Sequence, residues 1–109
     1  MVRIAVIALA AASIAGCAGP RHLSGRAADF TAHSAKSLDA ISACLAANWD
    51  PNVSVELPDG TAYSVLKAGR VTTELYVHDE GASRAARLYV RSSDGAAKQS
   101  EMDRVGPCL

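Results

Sequence analysis

The apolar positions change their period along the chain. From Ile4 to Ile14 they run almost unbroken, with Ser13 the polar exception. From Asp29 to Trp49, Phe30, Leu38, Ile41 and Leu45 recur near every 3.6 residues, which predicts an amphipathic helix capped by Asp29 or Thr31. Asp50-Pro51-Asn52 ends it, because a proline disfavours helical geometry in the residue before it. Trp49, at the helix end, reads as a lid on the core, with ligand stacking as the alternative.

After Pro51 the period becomes two. Val53, Val55 and Leu57 alternate with Asn52, Ser54 and Glu56. Pro58-Asp59-Gly60 fits a three-residue hairpin loop with glycine in the left-handed position. That loop sets Leu57 opposite Thr61, Val55 opposite Tyr63 and Val53 opposite Val65, all on one face. Lys67-Ala68-Gly69-Arg70 marks the next turn. Val71, Thr73, Leu75 and Val77 then point inward, as do Ala86, Leu88 and Val90 after a polar loop over 79–83. Keeping both sets on one face requires Val77 opposite Ala86, Leu75 opposite Leu88, Tyr76 opposite Arg87 and Glu74 opposite Tyr89.

A short final helix follows over 96–105, with Met102 and Val105 one turn apart, and Gly106-Pro107 stops it. The order α-β-β-β-β-α predicts an α+β domain over 29–109. Its N-terminal helix covers one face of a four-stranded antiparallel meander.

The front of the chain has a different logic. Met1-Val2-Arg3 carries one positive charge ahead of the apolar run. That run is too short to span a bilayer, which takes roughly twenty residues, and suits a signal peptide. It closes on Ile14-Ala15-Gly16-Cys17, which resembles the lipobox of bacterial lipoproteins. The resemblance implies that residues 1–16 are removed and that Cys17 carries lipid. An anchor of several acyl chains, at about 0.8 kcal/mol per buried CH₂, is essentially permanent. It also implies, from Ala18 in place of aspartate, the outer membrane of a two-membrane bacterium, with the domain facing the periplasm. An ordinary secretory signal cut near Ala18 is the alternative. Residues 17–28, with their glycines, proline and arginines, read as the lipidated cysteine and a flexible tether.

The chain has three cysteines. With Cys17 lipidated, Cys44 and Cys108 remain as a pair in an oxidising compartment and are expected to form a disulfide, worth about 4 kcal/mol in the chain-entropy picture. A helix ending near Cys44 and Trp49, a meander, and a final Cys108-Leu109 also resemble small uncharacterised proteobacterial lipoproteins, a likeness that implies no activity.

Composition narrows function mostly by exclusion. Eleven basic and eleven acidic residues give zero formal net charge, which removes the long-range positive field that nucleic-acid binding relies on. His22, His33 and His78 lack metal-ligand spacing, so no metal or other cofactor is expected. The stretch from His33 to Ser37 places serine and lysine two apart, which do not face each other on a helix, and no nucleophile elbow is present. The outward residues Glu74, Tyr76, Arg87, Tyr89 and Arg91 form the candidate binding face. They suit an anionic or sugar-like partner, or simply a solvated sheet surface. The expectation is therefore a non-enzymatic lipoprotein with a binding or envelope-structural role. The alternative is an inhibitor or binding module for an exported hydrolase or a cell-wall fragment.

Overall fold

A computed structural model describes Leu23 and residues 25–109. The lipobox, Cys17 and His22 lie outside the described residues. The chain folds as α+β, with one five-stranded antiparallel sheet and two helices. The elements are β1 (Phe30–Ser34), α1 (Leu38–Asn48), β2 (Val53–Leu57), β3 (Gly60–Lys67), β4 (Arg70–Asp79), β5 (Arg84–Val90) and α2 (Gly95–Val105). A 3₁₀ turn over Gly106–Cys108 follows. Across the sheet the order is β1-β5-β4-β3-β2.

The expected helix over 29–49 is thus two elements, and the expected four strands are five. Phe30 and Leu38 fit a helical period, but Phe30, Thr31 and Ala32 also fit a strand, and β5 has an open edge to fill. β1 fills it, with Phe30 opposite Leu88 and Ala32 opposite Ala86. Neither Asp29 nor Thr31 caps α1. Ser37 does, its hydroxyl accepting the Ala40 N–H at 3.1 Å. The order is therefore β-α-β-β-β-β-α.

The pairing of β4 with β5 matches the expected register at all four positions: Val77 with Ala86, Leu75 with Leu88, Tyr76 with Arg87 and Glu74 with Tyr89. The inner face carries Thr73, Leu75, Val77, Ala86, Leu88 and Val90, all buried, with Val71 half-buried at the sheet end. α1 lays Ile41 and Leu45 on that face, Trp49 closes one end, and α2 adds Val105. Each such aliphatic side chain, fully buried, contributes about 1.5–3 kcal/mol.

The β2–β3 hairpin departs from the expected register by one residue. Leu57 faces Gly60 across a two-residue Pro58-Asp59 loop, and Ser54, not Val55, faces Tyr63. Val53 and Val55 consequently point to the outer face, 39% and 51% exposed. Gly60 explains the shift. It is a strand residue packed so closely on β4 that an added Cβ would sit 1.9 Å from the Val77 carbonyl oxygen. Close approach, and not a left-handed turn, is what this glycine permits.

The β3–β4 turn is of type I′. Lys67 pairs with Arg70, and Ala68 and Gly69 both have positive φ, 54° and 75°. Just beyond it Thr72 is an extra residue in β4, a bulge marked by the shift of pairing between Val65 and Leu66.

Cys44 and Cys108 are joined as a disulfide, with Cα atoms 5.5 Å apart. The bond ties the middle of α1 to the chain end, and the side-chain amide of Asn48 lies over it, 3.2 Å from the Cys44 sulfur.

Candidate functional site

The expected binding face is real as a strand surface but is not open throughout. Glu74 and Tyr89 are only 2% exposed, although they point away from the helices. Their cover comes from the segment expected to be a free tether. Leu23 is buried there, and its backbone N–H donates to Glu74 Oε1 at 2.6 Å. Farther along, Arg26 donates to Asp29 and to the Val90 carbonyl. Alternation correctly assigned Glu74 and Tyr89 to the outer face. It could not show that the chain returns across it.

The remaining members of that set divide. Tyr76 packs edge-on against Tyr89, with ring centroids 6.0 Å apart, and stacks on His78. Arg87 is exposed and donates to His78 Nε2 at 2.7 Å. His78 Nδ1 faces Asp59 Oδ2 at 3.3 Å. With Arg87 donating to Nε2, the ring proton sits on Nδ1 and points to Asp59. Arg91 lies past the end of β5, held by its Nε donating to the Val71 carbonyl at 2.6 Å, and belongs to a different surface.

That surface is an open cleft of about 880 Å³ at the end of the molecule where the β3–β4 hairpin turns. Its walls are the end of α1, the hairpin and α2. Trp49 stands at its floor, where the indole Nε1 donates to Glu101 Oε1 at 2.9 Å. Thr73 donates to the same carboxylate oxygen at 3.1 Å, so the floor is cross-braced from α1, β4 and α2. Asp50, on the rim, ends α1 in the left-handed region with φ 56°, its N–H bonded to the Leu45 carbonyl. Asn52 fixes the opposite wall by accepting the Leu66 N–H at 2.8 Å.

Four cations border this cleft: Lys67, Arg70, Arg91 and Arg104. Asp50 and Glu101 are the acids. The side chains of Lys67, Arg70 and Arg104 make no ion pair or hydrogen bond with any described residue. Arg91 alone of these cations was in the expected set. The signal for Lys67 and Arg70 was the basic pair flanking Ala68-Gly69, which becomes meaningful once the turn is two residues long and the pair stands directly opposite; nothing in the sequence singled out Arg104.

Among the described residues no group of three or more histidine, cysteine, aspartate or glutamate side chains is placed to hold a metal ion. Nor is any described helix long and apolar enough to cross a membrane. In comparison with known proteins, no family model, no curated protein and no solved structure matches the chain.

Proposed function

We propose that this chain is a lipid-anchored, non-enzymatic binding module of the bacterial outer membrane, facing the periplasm. Cysteine pairing carries the reading. Cys44 and Cys108 are bonded to each other, which leaves Cys17 as the odd thiol, and Cys17 is the residue that the lipobox Ile14-Ala15-Gly16-Cys17 consumes. A disulfide also suits an oxidising compartment. The cleft beside Trp49 supports a binding role, because its volume is that of a ligand site and Lys67, Arg70 and Arg104 on its border make no ion pair with any described residue.

Cells given labelled palmitate should place label in the wild-type chain, recovered with outer-membrane vesicles after density separation. Cys17→Ala should abolish the label and leave precursor or a soluble species. Label entering the Cys17→Ala chain would end the lipid-anchor reading.

A further inference from the structure

We infer that the cleft floored by Trp49 binds an acidic peptide segment, with Arg70 and Arg104 as the groups that hold its carboxylates. This rests on the reading of the chain as a binding module and names the class of its ligand.

The cleft gathers positive charge that has nowhere to go. The whole chain is neutral, with eleven charges of each sign. Yet Lys67, Arg70 and Arg104 converge on one cleft without an acidic partner among the described residues. Elsewhere on the surface, cations do find partners: Arg26 and Lys98 meet Asp29, and Arg84 meets Asp79. Guanidinium groups favour carboxylates because their planar fork matches two oxygens at once.

Lys67 and Arg70 stand directly opposite each other across the hairpin, where like charges repel. The turn between them puts Ala68 at φ 54°, a conformation that disfavours any residue with a Cβ. Asp50, on the facing wall, is the other non-glycine residue with positive φ among the described residues. Both positions adjoin this cleft, Asp50 as the residue that ends α1 and Ala68 as a strained turn residue. A site that violates several local preferences together is one where the preferences yield to a ligand.

The cleft is open to solvent and too large for a lone small anion. Val65 and the edges of buried Trp49 and Val90 supply apolar lining, while Lys67 and Arg70 lie on the hairpin and Arg104 on α2. An extended chain alternating acidic and apolar side chains meets both.

Trp49 is the sole tryptophan, so its emission reports directly on the cleft. The full chain, in detergent with its disulfide intact, is titrated with a hexapeptide of alternating glutamate and leucine. Parallel titrations use the lysine–leucine counterpart and citrate. The glutamate peptide should give a saturable change that weakens as salt is raised. Arg70→Gln and Arg104→Gln should each weaken it about fivefold or more, and the double variant should lose it. Thermal midpoints within a few degrees of wild type would show that these variants fold. Equal binding of the lysine peptide, or unchanged binding by the folded double variant, would overturn the inference. Citrate binding as tightly as the peptide would do so as well, by assigning the cleft to small polycarboxylates. The palmitate experiment is independent of these outcomes, so the ligand class and the lipid anchor fail separately.

Discussion

Asp29 gathers donors from three parts of the chain. Its carboxylate accepts the Val90 N–H at 2.7 Å, the Arg26 guanidinium at 2.9 Å and the Lys98 ammonium at 2.9 Å. The hydrogen bond from Arg26, helped by Val90 and Lys98 and opposed by burial, holds its pKa well below the usual carboxylate range. A lowered native pKa means stability that is fully present above the unfolded value, about 3.9, and lost as pH falls through the native one. Asp29→Asn should therefore cost about 1–3 kcal/mol at pH 7. Urea unfolding at pH 7 and pH 3 checks this: the gap between variant and wild type should narrow at the lower pH. At Ala68 the expectation has the opposite sign. Ala68→Gly relieves the left-handed alanine and should stabilise by about 0.5–1 kcal/mol, seen as a higher urea midpoint. None of this was legible beforehand. Asp29 looked like a helix cap because its partners are distant in sequence, and Ala68 is unremarkable until its φ is known.

At the scale of elements, legibility followed how one-sided each strand is. β4 and β5 bury one face under helices, so alternation alone fixed their register. β2 is an edge strand whose valines lie on the outer face, so its apolar pattern pointed to the wrong side. Pro58-Asp59-Gly60 suited both a two-residue and a three-residue loop, and the deciding contact, Gly60 against the Val77 carbonyl, spans two strands. Gly60→Ala should then cost roughly 3 kcal/mol or more, since rigid backbone must move to admit the methyl group. Chemical denaturation checks the cost, and a variant as stable as wild type would contradict the close approach. β1 was missed because five strand residues beside a helix share its apolar spacing. The start signal was Ser37, not Asp29. The cleft was missed for a related reason: its residues come from α1, the hairpin and α2, and only the folded chain assembles them.

Across the whole molecule, a neutral total conceals two poles. Lys67, Arg70, Arg91 and Arg104 border the cleft at one end of the sheet. Asp39, Glu56, Asp59 and Asp79 gather around the Pro58-Asp59 turn at the other. The disulfide secures the helical layer between them, clamping α1 to the chain terminus. Replacing both cysteines, Cys44→Ser with Cys108→Ser, should cost about 2–5 kcal/mol, measured as a lower thermal midpoint than the oxidised wild type. Wild type under reducing conditions should fall by a similar amount.

The contact between Leu23 and Glu74 also sets a distance. With lipid on Cys17, as proposed, six Cα–Cα steps separate the anchor from the point where the chain is fastened to the sheet. Fully stretched, they reach about 20 Å. The domain therefore does not sweep freely at the end of a long leash. On that proposal the domain stays within this reach of the bilayer, and the outer face of its sheet, where Leu23 is fastened, is the side nearest the anchor. On the same proposal the helical layer, across the sheet from Leu23, is the side farther from the anchor.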